Sequence, residues 1–388
     1  MAYEKGYIIL KCFTVNFCDA RNLAHRIFLQ GKTDFFYRIR QNIRKKFAQI
    51  KLGKEVKMQK IKNSFNFFAV IIICFSLIIT AAATDSLVPL GHTTGIKLDA
   101  GGAIVIGMSE DVDSNPCRSA GISEGDVIKS INGKRVYSNS DLKNAVLGCE
   151  GNPLKIEYVR NGKTETAEVT PTKNESGEFV LGIWIRDSIA GIGTLTYYDP
   201  ETRKYGALGH GVSDSDTNLL IPIERGSLMN STVAGVKRGS PGNPGELIGE
   251  YDLSHDFADI KKNTESGIFG TVSDFSAFEN MKSYPVAKRE EIHRGKATIL
   301  SNLEGDKIEE YQIEITSIYF DGEKTKNMLI RATDPRLIEK TGGIVRGMSG
   351  SPILQDGKIV GAVTHVLVND PKKGYAIFIE NMLSEAAA

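Results

Sequence analysis

From Gly95 to the C-terminus, the sequence consists of short apolar runs separated by turn residues, and few segments have the length or periodicity of a helix. Residues 154–160 alternate apolar and polar side chains before Asn161-Gly162, a pattern typical of a hairpin. The chain also contains 39 glycines in 388 residues, which exceeds the usual share of roughly 7% and suits tight turns. These features predict a mostly β protein.

The first folded part has one helix and a distinctive turn sequence. Residues 119–133 read SAGISEGDVIKSING, which predicts a short helical turn ending at Gly121, a strand and a hairpin turn. A helix is predicted at 141–146, opened by Ser140 or Asp141 as its cap. Residues 88–172 thereby resemble a PDZ domain of the kind carried by bacterial proteases.

The PDZ resemblance implies a groove that takes an extended peptide or a chain terminus by strand addition. Its peptide-binding loop, whose N–H groups hold a terminal carboxylate, corresponds best to Gly95, Ile96, Lys97 and Leu98. Lys97 stands where the family usually has a second glycine. The alternative is a β-sandwich with no peptide ligand.

The N-terminal part contains a candidate membrane segment. Residues 65–83 include no charged side chain and are just long enough to span a bilayer, which takes about 20 residues. Residues 1–64 form a basic leader, which favours a cytoplasmic N-terminus and an exported remainder. Ala81–Ala83 fits a cleavage site, so a signal peptide, an uncleaved anchor and a buried core helix are all open. Met58 is an alternative start, which would make the preceding residues a mis-called extension.

Charge and cysteine content exclude other classes. The net charge is +1, so nothing in the overall charge points to a nucleic-acid partner. The five cysteines have no metal-site spacing, and no metal or cofactor is predicted. Downstream of the apolar segment only Cys117 and Cys149 are available to form a disulfide.

Residues 180–388 are predicted to form a β-barrel with a nucleophilic serine. Ser349 lies between glycines in GMSGSP (347–352), and the N–H groups of Gly347 and Ser349 would form the oxyanion hole. A strand–turn–strand pattern at 351–364 and a closing strand at 374–379 follow. This stretch resembles the GDSGGP motif region of chymotrypsin-like serine proteases.

A serine nucleophile needs a base and a group that orients the base. Among six histidines, His210 is the best base because glycines flank it at a strand end, and His365 is the second choice. Four aspartates lie at candidate positions between His210 and Ser349, and spacing alone does not choose among them: Asp252, Asp256, Asp259 and Asp334.

Longer strings then follow the PDZ-like part in order. GALGH (206–210), TDP (333–335), GGIVRGMSGSPI (342–353) and GAVTHVLVNDP (361–371) resemble the stage IV sporulation protein B peptidase family, with a match from Leu87 to the C-terminus. The resemblance implies a catalytic triad of His210, Asp334 and Ser349.

The same resemblance implies a biological role. Such an enzyme is exported from the forespore into the intermembrane space, where it is membrane-associated or secreted. It cleaves itself and a membrane-bound regulator of the intramembrane protease that activates the late mother-cell sigma factor. The alternative is a membrane-tethered PDZ scaffold whose protease-like domain is not catalytic. A metalloprotease is disfavoured because the chain has no HExxH motif.

Overall fold

The computed structural model describes Gln41 and residues 86–388, except 111–113, 275, 279 and 280. The predicted apolar segment 65–83 lies outside the described residues, as does the leader 1–64 apart from Gln41. Within the described part, no helix is both long enough and apolar enough to cross a membrane.

Strands dominate residues 86–388. They are β1 (Ser86–Pro89), β2 (Thr93–Met108), β3 (Val127–Ile131), β4 (Lys134–Arg135), β5 (Leu154–Arg160), β6 (Lys163–Val169), β7 (Thr172–Lys173), β8 (Phe179–Val180), β9 (Ile183–Asp199), β10 (Lys204–Ala207), β11 (Arg225–Lys237), β12 (Glu246–Thr264), β13 (Gly267–Val272), β14 (Tyr284–Pro285), β15 (Gly295–Asn302), β16 (Ile308–Ile318), β17 (Met328–Ala332), β18 (Pro352–Gln355), β19 (Lys358–Leu367) and β20 (Asp370–Phe378). The described helices are α1 (Pro116–Ser119), α2 (Asn139–Leu147), α3 (Pro335–Thr341) and α4 (Ile379–Ala387), with 3-10 turns at Ser276–Phe278 and Arg289–Glu291. The prediction of a mostly β chain is confirmed.

Six antiparallel strands form a first barrel in the order β2-β9-β10-β13-β12-β11. The ring closes at β2, because residues 93–99 pair with β9 on one side while 94–99 pair with β11 on the other. Leu98, Tyr205 and Leu228 are fully buried inside it. Each large apolar side chain removed from water in this way contributes about 1.5–3 kcal/mol.

The PDZ-like module is inserted into this barrel. Beyond the ring, the outer halves of β2 and β9 pair with each other, from Ile104 opposite Arg186 to Met108 opposite Ile183. β3 adds to β2 beside Ala103, and β5 and β6 extend the sheet. The module therefore lies between the first two barrel strands in chain order, and residues 93–99, within the predicted PDZ range, are barrel wall.

A second six-stranded barrel follows, in the order β15-β16-β17-β20-β19-β18, and β18 pairs with β15 to close it. A shared apolar cluster joins the barrels: Tyr197 and Phe269 from the first pack with Ile359 and Ile377 from the second. Ile379 and Met382 of α4 are fully buried in the same cluster. This packing fixes the loops of one barrel against those of the other.

One local prediction needs correction. α2 begins at Asn139, and its cap is Ser138, because the Ser138 hydroxyl accepts from the Asp141 N–H while the Asp141 carboxylate accepts from the Ser138 N–H. Cys117 and Cys149 are free thiols and form no disulfide. Cys117 is buried, and burial raises its pKa to about 12.

Candidate active site between the two barrels

His210 follows the third barrel strand in a tight turn. Leu208 and Gly209 both have left-handed backbones, with φ of 70° and 69°. A Cβ at Gly209 would lie 3.0 Å from methyl groups of Thr364 and Ile377 in the second barrel. This turn therefore carries His210 from the first barrel to the surface of the second.

Ser349 lies in the loop before β18, and this loop is pressed against the first barrel. Gly350 has φ of +100°, and a Cβ there would lie 2.0 Å from the Thr194 carbonyl oxygen. The Thr194 N–H donates to the Ser349 carbonyl over 3.0 Å, and the Thr194 hydroxyl donates to the Gly347 carbonyl over 2.7 Å. Thr194 of β9 thus holds the serine loop in place.

Ser349 and His210 open onto one cavity of about 280 Å³. Aliphatic side chains, including Ile96, Ile192 and Leu208, form much of its wall. In this conformation the Ser349 hydroxyl donates to the Thr364 carbonyl over 2.7 Å rather than to His210. Rotation about the Cα–Cβ bond of Ser349 is the movement that redirects the hydroxyl.

The His210 ring has the electronic state that a general base needs. Its Nδ1 lies 2.8 Å from the Gly211 carbonyl oxygen, which can only accept, so we assign the ring proton to Nδ1. Nε2 then carries the free lone pair. Burial lowers the pKa of His210, which keeps the ring neutral near pH 7.

The predicted oxyanion hole has two available donors. Among the described residues, neither the Gly347 N–H nor the Ser349 N–H donates to a protein acceptor, whereas the Gly350 N–H is used by the Val363 carbonyl. Gly347 has φ of +92°, in the left-handed region, and a Cβ there would lie 2.9 Å from Leu247. A glycine at this position lets the loop keep that shape.

Asp334 is placed at a helix end instead of beside His210. It is the N-cap of α3, and its carboxylate accepts from the Arg336 N–H at 2.9 Å, the Arg336 guanidinium at 2.9 Å and the Gln312 N–H at 3.2 Å. The hydrogen bond from Arg336 is the main cause of its lowered pKa. No hydrogen bond joins Asp334 to His210 within the described residues. The structure therefore does not place the third residue of the implied triad beside the base.

None of the other three candidate aspartates forms a hydrogen bond with His210 among the described residues. Asp252 accepts from Ser254, and Asp259 accepts from Thr271 and pairs with Lys261. Asp256 lies on β12 opposite Met229.

His365, the second-choice base, lies close to His210. Its ring centroid is 5.0 Å from that of His210, and both rings line a cavity of about 580 Å³ with Glu265 and Glu323. Partial burial, reinforced by the neighbouring His210, lowers the pKa of His365.

The predicted peptide-binding loop of the PDZ-like part is not a loop. Gly95, Ile96, Lys97 and Leu98 lie in β2, with β9 on one side and β11 on the other. Both edges of this strand segment are occupied, so its N–H groups are not grouped to hold a carboxylate. The roles of Thr194, Gly211 and Thr364 could not be predicted from the sequence, because Gly211 and Thr364 act through their carbonyl groups and Thr194 through its N–H and its hydroxyl.

Two family models match this chain. Residues 177–383 match the SpoIVB peptidase S55 family, and residues 87–170 match the PDZ domain. A putative zinc metalloprotease of Clostridium perfringens is 32% identical over 72 residues, which cover 19% of this chain and 22% of that protein. A probable periplasmic serine endoprotease DegP-like of Pseudomonas putida is 29% identical over 180 residues, which cover 45% of this chain and 34% of that protein.

The chain thus spans about a fifth to a third of the length of these two curated relatives. Among solved structures, the active form of the Rv3671c protease from M. tuberculosis has a TM-score of 0.29 at 17% identity, covering 51% of this chain and 74% of that one.

The matched families define a serine peptidase with a PDZ domain, which confirms the predicted class. Since the matched segment 177–383 is more than half of the 388 residues, the chain belongs to the SpoIVB peptidase S55 family.

Proposed function

We propose that this protein is a serine endopeptidase in which Ser349 is the nucleophile and His210 is the general base. One observation carries the proposal: loops from two barrels place the two side chains on one cavity, beside two N–H groups without a protein acceptor. The pair of six-stranded barrels supports a chymotrypsin-like arrangement.

The chemistry follows from these contacts. The Ser349 hydroxyl leaves the Thr364 carbonyl and gives its proton to Nε2 of His210 as Oγ attacks the substrate carbonyl. The resulting oxyanion accepts from the N–H groups of Gly347 and Ser349. His210 then protonates the leaving amine, and water hydrolyses the acyl-enzyme by the reverse proton path.

The Gly211 carbonyl supports the base in this scheme. Its 2.8 Å contact with Nδ1 holds the ring in the tautomer that leaves Nε2 unprotonated, which is the task of the orienting acid in a triad. The family resemblance gives this task to Asp334, whose carboxylate is engaged by Arg336 and Gln312. We therefore propose a Ser349–His210 pair oriented by a main-chain carbonyl, with Asp334 stabilising α3.

The biological role that we propose comes from the family. The protein acts as a sporulation signalling protease, exported from the forespore and associated with the membrane. Its substrates are itself and a membrane-bound regulator of the intramembrane protease that activates the late mother-cell sigma factor. The name of the matched family supports a role in sporulation, and the periplasmic relative supports export.

A labelling experiment tests the catalytic pair. A fluorophosphonate probe should react with the full-length wild type at Ser349, as located by mass spectrometry. Ser349→Ala should lose the label, and His210→Gln should slow labelling at least 100-fold. Ser254→Ala, which changes an exposed serine, is the matched control. Labelling that persists in Ser349→Ala at the wild-type rate would show that the nucleophile is misassigned.

Complementation separates the protease from the scaffold. We expect sporulation to fail with Ser349→Ala at wild-type protein level, together with loss of self-cleavage measured by N-terminal sequencing. Normal sporulation with the same variant would favour the non-catalytic PDZ scaffold.

A further inference from the structure

Arg346 brings a positive charge to the cavity onto which Ser349 and His210 open. Among the described residues that line this cavity there is no aspartate, glutamate or lysine, and the His210 ring is neutral. Arg346 is exposed, and within the described part of the chain its guanidinium forms no ion pair, hydrogen bond or aromatic contact. The charge beside the proposed nucleophile is therefore positive and unpaired.

The backbone of Arg346 is fixed against the start of β12. Its N–H donates to the Gly245 carbonyl and its carbonyl accepts from the Leu247 N–H, both over 2.9 Å. These two hydrogen bonds form a short parallel bridge between Arg346 and Glu246. Over the described residues, the Glu246 carboxylate forms no ion pair with the guanidinium across this bridge. The main chain of Arg346 is thus held in place while its side chain stays available to a ligand.

Arg346 is also joined directly to the proposed oxyanion hole. The Gly347 N–H, one of the two donors, belongs to the peptide group that links Arg346 to Gly347. A substrate carbonyl oxygen that accepts from this N–H would lie about 3 Å from it. Because an extended peptide advances by about 3.3 Å per residue, side chains within two residues of the scissile bond come within reach of the Arg346 side chain.

The neighbouring cavity of about 580 Å³ presents acids that are already paired. Its acidic lining residues are Glu265 and Glu323. Among the described residues, Glu265 pairs with Lys324 over 3.3 Å and Glu323 pairs with Lys326 over 2.7 Å. A charged substrate side chain would have to compete with these ion pairs. Selection by charge at the catalytic pair is therefore expected from Arg346.

The chemistry of a guanidinium and the shape of the cavity narrow the ligand. A guanidinium is always charged, and its planar fork of donors matches the two oxygens of a carboxylate. Ile192, Leu208 and Val212 add an aliphatic wall to the same cavity. The site therefore suits a carboxylate side chain that has an apolar neighbour along the peptide.

We propose that Arg346 is a specificity-determining residue, which binds a glutamate or aspartate of the peptide substrate within two residues of the scissile bond. This inference rests on the proposed function and adds a substrate class to it: acidic peptide segments. The acidic side chain takes no part in the bond-breaking steps. Its ion pair with Arg346 positions the scissile carbonyl against the N–H groups of Gly347 and Ser349.

Matched peptides test this preference. A peptide library digested with the full-length protein, with products identified by mass spectrometry, supplies a cleaved sequence. Quenched fluorogenic peptides then place Glu, Gln or Lys in turn at the two positions on each side of the bond. For at least one position, kcat/KM for the Glu peptide should exceed that for the Gln peptide by about threefold or more, since an exposed ion pair supplies up to about fivefold.

Variants of Arg346 show whether this residue causes the preference. Arg346→Gln should lower the ratio of the two kcat/KM values by at least half, and Arg346→Glu should favour the Lys peptide over the Glu peptide. Arg294→Gln is the matched control, because Arg294 is exposed, lies outside both cavities and forms no ion pair among the described residues. Its ratio should stay close to that of the wild type. Added salt should lower the wild-type ratio, because it screens an exposed ion pair.

Two readouts separate this inference from the proposed function. Fluorophosphonate labelling reports on the Ser349–His210 pair, whereas the ratio of kcat/KM values reports on Arg346. Labelling of Ser349 without a threefold preference for any Glu peptide would overturn the inference alone. A ratio that falls by less than half in Arg346→Gln, or falls equally in Arg294→Gln, would do the same. Absence of labelling in the wild type would overturn the catalytic assignment and this inference with it.

Discussion

Replacement of Asp334 tests whether this residue orients the base or stabilises the fold. Asp334 is 5% exposed, caps α3 and accepts from the N–H groups of Arg336 and Gln312. Loss of an N-cap costs about 1 kcal/mol. Hydrogen bonds to a charged group contribute about 1.5–3 kcal/mol. Asp334→Ala should therefore lower the free energy of unfolding by about 2–4 kcal/mol.

Asp334→Asn is the sharper variant, since asparagine caps a helix as well as aspartate does. It removes the charge that pairs with Arg336 and should cost about half as much stability. Because no hydrogen bond joins Asp334 to His210, kcat measured on the folded fraction should fall less than about tenfold. Removal of an orienting aspartate from a triad costs about 10⁴-fold in kcat.

The assay combines urea unfolding with kcat for a fluorogenic peptide. Arg336→Gln, which leaves the carboxylate in place, is the companion variant and should lose stability without loss of kcat. Since the folded-state pKa of Asp334 is lowered, its stabilisation is present above its unfolded value of about 3.9 and is lost as the pH falls through the folded-state value. A normally stable Asp334→Asn protein with kcat reduced 10³-fold or more would refute the structural role.

Three further predictions concern the site. Since burial lowers the pKa of His210, log(kcat/KM) should fall only when the pH drops below a midpoint under 6.5; a midpoint above 7 would contradict a buried neutral base. His365→Gln should keep more than a tenth of the wild-type kcat, because the Gly211 carbonyl holds His210; a loss above 1000-fold would make His365 the base. Gly350→Ala should abolish labelling of Ser349 and lower the melting temperature, since the new Cβ would lie 2.0 Å from the Thr194 carbonyl; normal labelling would contradict the inferred packing.

Local patterns in the sequence predicted the hairpins, the PDZ-like part and the serine loop. The insertion of the module could not be predicted in this way. It depends on pairing between residues 93–99 and two strands far along the chain, at 188–194 and 225–230. A local sequence pattern does not show whether a strand continues from the barrel into the PDZ-like module or ends between the two.

The Asp334 assignment shows a different limit. Aspartate followed by proline is a strong helix-start signal, because aspartate caps the first turn and proline suits its first position. The sequence Asp334-Pro335 was therefore compatible with a helix cap as well as with a catalytic aspartate. The resemblance favoured catalysis, whereas the contacts with Arg336 and Gln312 favour the cap.

The continuity of β2 and β9 determines how this protein can be divided. A fragment that begins at residue 180 would lack β2, so the first barrel would have a gap between β9 and β11. The exposed edges would then be free to pair with other chains, which favours aggregation. Loss of activity in such a fragment would therefore result from the incomplete barrel, and would not show that the PDZ-like module is needed. Removal of residues 104–185 with a short turn between the two barrel strands leaves the ring complete, and is the deletion that isolates the role of the module.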